Sequence, residues 1–145
     1  MYLPHHFEDT DPQAVRDIIE SCPLATLVVS ASTGLAANHI PVIADGAHAM
    51  IGHVAAANDL HRTVDDGAPV LLIFSGEDSY ISPNWYPTKP QHHQHVPTWN
   101  YQVVHIHGRI TFTRDDKAKR AIVGRMTKQF ETAKPGKWQM RRLTI

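Results

Sequence analysis

The sequence predicts a mainly β, α+β domain: a small antiparallel β-barrel flanked by helices. Three observations carry that prediction. Short runs rich in apolar and β-branched residues fill the middle of the chain, and the longest, Trp99 to Thr113, alternates with period two. Residues suited to tight hairpins, Ser32-Thr33-Gly34 and Asp45-Gly46, separate the early runs. Helical periodicity is confined to a segment near each end and one short piece between them.

The first helix is predicted over Asp11 to Ser21. Val15, Ile18, Ile19 and Cys22 fall at i, i+3, i+4 and i+7, which is one helical face. Thr10 or Asp11 can cap it, Pro12 suits the first helical position, and Pro23 stops it. Leu24 to Ser30 is the first strand and Leu35 to Ile43 returns from it. Pro41 within the second strand predicts an edge position or a bulge. Ala47 to Val54 is a third strand. Asn58 can cap a short helix over Asp59 to Val64. Ala68 to Ser75 is a buried apolar strand, and Ser79 to Ser82 a separate pairing segment. Pro83 to Pro97 carries four prolines and the run Gln91-His92-His93-Gln94-His95, and is predicted to be an irregular, solvated loop. A last helix starts at Thr113 to Asp116, repeats Ala118, Ile122, Met126 and Phe130 at spacing four, and ends at Pro135-Gly136.

Length and composition set outer bounds. The chain has 145 residues and 16.2 kDa, the size of one domain with its own core. Hydrophobic residues make up 42% and charged residues 19%, which excludes a disordered chain. Lys+Arg and Asp+Glu both number 14, so the strongly basic balance of a nucleic-acid-coating protein is absent. Cys22 is alone, so no internal disulfide forms. The sequence holds no apolar run near the ~20 residues of a membrane span and no signal-peptide pattern at its start, and a cytoplasmic location is expected.

Several residues carry polar chemistry in unusual places. Gly52 to Asn58 lies where a strand passes into a short helix, with small Ala55, Ala56 and Ala57 and the donors Asn58 and Arg62. Convergent N–H groups at such a turn suit a phosphate, and an ordinary capped turn has the same pattern. Asn38-His39-Ile40-Pro41 sets two polar residues in an apolar strand. Ser82, Trp85 and Tyr86 precede the long loop, and Thr98, Trp99, Asn100 and Tyr101 follow it. These form a wall for a planar ligand or pack an interface. His105 and His107 share a strand face, and His92, His93 and His95 can fold toward them. The spacing matches no metal signature, so no metal site is assigned.

Five stretches together resemble the PaiB family, described as FMN-binding negative transcriptional regulators. They are Met1 to Phe7, Asn38 to Pro41, Gly52 to Asn58, Tyr80-Ile81-Ser82-Pro83-Asn84-Trp85-Tyr86, and Val96-Pro97-Thr98-Trp99-Asn100-Tyr101. The resemblance runs from residue 1 to about Phe130. It implies a split β-barrel of the pyridoxamine-phosphate-oxidase, FMN-binding type and a homodimer with FMN at the subunit interface. It also implies that the strand bearing Asn38 and His39 runs beside the flavin, so that one of them bonds the ring or ribityl chain. The cofactor-binding candidates are then Asn38, His39, His53, Asn58, Arg62, Ser82, Trp85, Thr98, Trp99 and Asn100, with Trp85 or Trp99 stacking on the ring. Family members continue into a further strand and a lysine-containing segment, so the expected organisation is one FMN-binding domain over residues 1–145 without that extension. Direct DNA contact is not implied by any groove-reading motif, so a DNA or protein partner stays open. Two other readings remain. One is a flavin-dependent oxidoreductase. The other is a haem or metal binder using His39, His53, His105 or His107.

Overall fold

The computed structural model describes residues 1–132 and residue 134. The expected helix stop at Pro135-Gly136 and the basic residues Lys137, Arg141 and Arg142 lie outside them. The chain divides into two compact units, each built from two separate segments. One comprises Pro23–Ile73 and the chain from His105 onward; the other comprises Met1–Cys22 and Phe74–Val104. The antiparallel strands follow the order β3-β2-β1-β4-β5.

In the first unit, β1 (Leu24–Ala31) forms a hairpin with β2 (Gly34–Asp45), registered from Leu24 opposite Pro41 to Ala31 opposite Gly34. On its other side β1 meets β4 (Pro69–Ile81), with Thr26 opposite Ile73 and Val29 opposite Val70. β2 then pairs through Val42 to Asp45 with β3 (Ala49–Gly52). Pro41 is therefore in an interior strand, at the point where β2 changes partner. Its missing N–H coincides with that exchange, so no ladder bond is sacrificed. The next residue, Val42, donates its N–H to the Pro23 carbonyl at 2.9 Å. Gly52 is required opposite, because a Cβ there would stand 2.9 Å from the Pro41 carbonyl oxygen.

Alternation along β1 sends Ala25, Leu27 and Val29 to one face, where all are buried. Leu27 and Val29 pack with Leu60 of the single-turn helix α2 (Leu60–Thr63) and with Val64 just beyond it. Ile40, Val54, Leu72, Ile110 and Phe112 complete this core. The N-cap of α2 is Asp59 rather than the expected Asn58, which stands one residue earlier; there its Oδ1 accepts the Leu60 N–H at 2.8 Å. Its Nδ2 donates to Asn38 Oδ1 at 2.9 Å, which ties the turn to β2. The loop before β4 is locked to the end of β5 (Thr98–Arg109) and the residues after it. Gly67 N–H donates to the Ile110 carbonyl at 2.7 Å, Ile110 N–H to Ala68 at 3.0 Å, and Phe112 N–H to Asp66 Oδ1 at 2.7 Å.

The last helix among the described residues, α4 (Asp116–Glu131), is capped by Asp115, whose Oδ2 accepts the Ala118 N–H at 2.7 Å. Lys119, bonded to the Asp116 carboxylate, holds that group below its ordinary pKa. Met126 is buried, and Arg125 forks onto the β2–β3 hairpin: Nη1 to Asp45 Oδ1 at 2.5 Å and Nη2 to the Ala44 carbonyl at 2.8 Å.

In the second unit, α1 (Pro12–Ser21) begins at Asp11, whose side chain accepts the Gln13 N–H at 2.9 Å. Val15, Ile18 and Ile19 lie half-buried on its inner side. Phe74 and Val104 are the buried residues of the strands here. Three elements differ from expectation. β4 runs unbroken through Gly76-Glu77-Asp78, where polar residues hide the strand from pattern reading while the backbone ladder continues. The irregular loop contains a short 3-10 turn, Pro83–Trp85, and a single-turn helix, α3 (Lys89–His92). His5–Phe7 is also a 3-10 turn.

Two tests follow from these contacts. Arg125→Ala removes one ion pair and one carbonyl bond at half-exposed positions, and should cost about 1 kcal/mol of stability, read as a lowered midpoint in urea. Asn38→Ala and Asn58→Ala should each destabilise by ~1 kcal/mol, and the double variant by clearly less than their sum, because both remove one shared bond.

Candidate functional site

The hairpin register sorts Asn38 and His39 onto opposite faces. Asn38 stands opposite Leu27 on the core side and gives its oxygen to Asn58. His39 stands opposite Thr26 on the other side, with Nδ1 3.0 Å from Thr26 Oγ1. Thr26 was not singled out in the sequence. Counting back from the Ser32-Thr33-Gly34 turn gives the pairing.

Beside Thr26, His39 and, at the turn end, the exposed Ser30, the face is apolar. Strand alternation places Leu24 and Val28 of β1, Leu35 and Ala37 of β2, and Leu71 and Ile73 of β4 upon it. Leu24 is 63% and Leu35 84% exposed. β1 thus carries apolar side chains on both faces, one in the core and one partly exposed, where Leu24, Leu35 and Ala37 are exposed and Val28, Leu71 and Ile73 half-buried.

The turn from Gly52 to Asn58 presents Ala55, Ala56 and Ala57 to solvent, and their backbone N–H groups donate to no acceptor among the described residues. Both ends of the Asn58 amide are engaged, so this residue shapes the turn. His53 leads into it, its Nδ1 3.5 Å from the Met126 sulfur. Arg62 lies on α2, four residues beyond Asn58. It lines a cleft with Arg114 that Asn38, His39, His53 and Asn58 do not line.

In the second unit the remaining candidates flank the loop. Ser82 Oγ accepts the Asn84 N–H at 3.2 Å, which forms the turn that exposes Trp85. Thr98, Trp99 and Asn100 open β5 and are exposed. Trp99 is fixed by its Nε1–H donating to Asp78 Oδ1 at 2.9 Å and by Tyr80, ring centres 5.9 Å apart. Asp78 and Tyr80 support Trp99 from the continuous β4, which the polar Gly76-Glu77-Asp78 stretch conceals in the sequence. The histidine run is only partly solvated: His95 stacks on Tyr86 at 4.5 Å and bonds Thr88 Oγ1 at 2.8 Å. Among the described residues no three His, Cys, Asp or Glu side chains are grouped to hold a metal ion. No helix among them is long and apolar enough to cross a membrane.

The family described as "Putative FMN-binding domain" matches residues 1–144. The uncharacterized protein YKL070W of Saccharomyces cerevisiae is 32% identical over 139 residues, covering 81% of this chain and 82% of that protein. Protease synthase and sporulation protein PAI 2 of Bacillus subtilis is 31% identical over 120 residues, covering 81% of this chain. The chain spans 56% of the length of that Bacillus relative. Among solved structures, the FAD and heme binding protein from Mycobacterium smegmatis aligns with TM-score 0.65 at 20% identity, over 86% of this chain and 58% of its own; the likeness is one of fold. With the family match spanning nearly every residue and the PAI 2 relative aligned over most of the chain, this protein belongs to the PaiB-type FMN-binding family.

Proposed function

We propose that the protein works as a homodimer of PaiB type, holding FMN where two copies meet and acting as a negative transcriptional regulator through its flavin state. The observation that carries the dimer and its site is the partly exposed apolar face of β1, β2 and β4, with Leu24, Leu35 and Ala37 open to solvent. Soluble monomers seldom leave such a face bare, and a twofold axis covers it by setting the same patch against itself. A flavin ring suits that face, since it is flat and apolar with a hydrogen-bonding edge. His39, fixed by Thr26, supplies the polar contact.

The residues present also fit the phosphate end. A phosphate dianion needs several N–H donors, and the Ala55–Ala57 turn leaves its own free behind side chains too small to obstruct it. Asn38 and Asn58 act by fixing that turn, and His53 by leading into it. Ser82, Trp85, Thr98, Trp99 and Asn100 are proposed as the aromatic and polar wall. FMN, when bound, supplies one- and two-electron redox chemistry, and the protein supplies orientation and hydrogen bonding. The regulatory part rests on the family resemblance alone. The whole chain is proposed as a single FMN-binding domain.

The test combines mass in solution with flavin retention. The purified protein should run as a dimer and keep visible flavin bands after addition of FMN and desalting. Ala37→Glu puts a charge on the apolar face at a position exposed in the single chain, so circular dichroism should stay unchanged. It should give a monomer and weaken FMN binding by at least ~10-fold, as burying an unpaired charge predicts. A monomeric wild type that retains FMN would remove the dimer, and a dimer that retains none would remove the cofactor site. Salt-dependent binding to promoter DNA above random DNA supports the regulator. NADPH oxidation by the FMN-loaded protein without such binding replaces it with an oxidoreductase.

A further inference from the structure

His105 and His107 lie on β5, the neighbour of β4 in the sheet. Two anchors fix how these strands face each other. At one end the Ile110 N–H donates to the Ala68 carbonyl at 3.0 Å, which sets Ile110 opposite Ala68. At the other, a Cβ on Gly76 would stand 3.0 Å from the Gln102 Cβ, which sets Gly76 opposite Gln102. Both anchors demand the same antiparallel register, with His107 opposite Leu71 and His105 opposite Ile73. Ile73 is in turn opposite Thr26, and Thr26 opposite His39. Residues opposite one another point to the same side of a sheet. His39, Thr26, Ile73 and His105 therefore form one row across four strands, and Ala37, Val28, Leu71 and His107 the next.

β5 thus brings two further imidazoles onto the face that β1, β2 and β4 keep mostly apolar. His107 is exposed and His105 half-buried. Neither makes a side-chain hydrogen bond or ion pair among the described residues. Nothing on the face balances a positive charge there. β1 carries no charged residue, and β4 none before Glu77, which belongs to the second unit. The carboxylate of β2, Asp45, lies six residues beyond His39 and is bonded to Arg125. Arg109, two residues beyond His107, adds a cation to β5 and donates to the Gly67 carbonyl at 2.8 Å.

Imidazole is the side chain that ordinarily changes charge between pH 5 and 8. Neutral, it packs against apolar groups at the cost of a hydrogen bond; charged, it is buried only with a partner. We propose that this face is a proton-sensitive contact between two copies of the chain: with His39, His105 and His107 neutral the copies pack together, and on acidification the unpartnered charges drive them apart. This rests on the homodimer proposed above and adds its regulation. Association buries the neutral form, so it is complete above the pH at which a free imidazole titrates and is lost as the pH falls through it.

The experiment is analytical ultracentrifugation of the full chain at about pH 8 and about pH 5.5, on either side of the ordinary imidazole value of ~6.5, with circular dichroism at both. Mass is the readout rather than flavin, because a phosphate monoester also takes up a proton near pH ~6. The dimer dissociation constant should rise at least ~100-fold on acidification, about tenfold for each imidazole held neutral one unit below its titration, with the twofold axis doubling the number. His105→Gln with His107→Gln should shrink that rise at least ~10-fold. His107→Arg fixes a charge at an exposed position. It should weaken the dimer at least ~10-fold at pH 8 with unchanged circular dichroism, which reads the proposal even if acid unfolds the wild type. A folded wild type equally dimeric at both pH values, a double variant that dissociates as the wild type does, or an unimpaired His107→Arg dimer would each overturn the proposal and leave the dimer itself standing. A wild type already monomeric at pH 8 would overturn the dimer and the proposal together.

Discussion

β1 has apolar side chains on both faces, and the rest of the structure answers to that constraint. A strand of this kind must be covered twice. Ala25, Leu27 and Val29 are buried within the chain, Leu27 and Val29 under α2 and residues beyond β5. On the other face Leu24, Leu35 and Ala37 stay exposed, and Val28, Leu71 and Ile73 beside them are only half-buried. The hydrophobic effect scales with apolar area removed from water, so the second face is where association gains most. Thr26 and His39 are the polar pair set into that face, which places hydrogen bonding where the apolar surface is widest.

The two polar residues of the Asn38-His39 pair serve different ends because a strand turns each successive side chain to the opposite side. Asn38 joins the core face and bonds Asn58, so the turn before α2 is held by a side chain twenty residues earlier in sequence. That bond fixes a stretch whose small side chains leave backbone donors accessible. α4 is held at a different point, through the Arg125 fork on the β2–β3 hairpin. A half-exposed cation there bonds both a carboxylate and a carbonyl, so helix and hairpin move as one piece.

The elements most legible in the sequence are those whose burial is one-sided and regular. α1 announces itself by its apolar spacing and its Asp11-Pro12 start, and the β1–β2 hairpin by its turn. Asn58 reads as a residue of the turn into α2, where it bonds the Leu60 N–H, one place before the actual N-cap Asp59. The illegible parts are those where side-chain pattern and backbone ladder part company. Polar Gly76-Glu77-Asp78 conceals the continuity of β4. Pro41 suggests an edge, yet stands where β2 exchanges one partner for another. α3 is a single turn, too short for periodicity to show. Of the candidate site, the aromatic and polar composition was visible, but the supports of Trp99 lay in the stretch of β4 that pattern reading broke.

By itself the sequence determined the fold class, the family and the residue types available for binding, because periodicity, turn chemistry and motif are local properties of a chain. Only the tertiary structure decided which residues share a surface. It put Asn38 and His39 on opposite faces, paired His39 with Thr26, and brought Arg62 and Arg114 to one cleft. These outcomes depend on strand register and on hydrogen bonds between segments far apart in sequence. Such long-range pairings are set by the free energy of the whole packed core, and no local pattern encodes them.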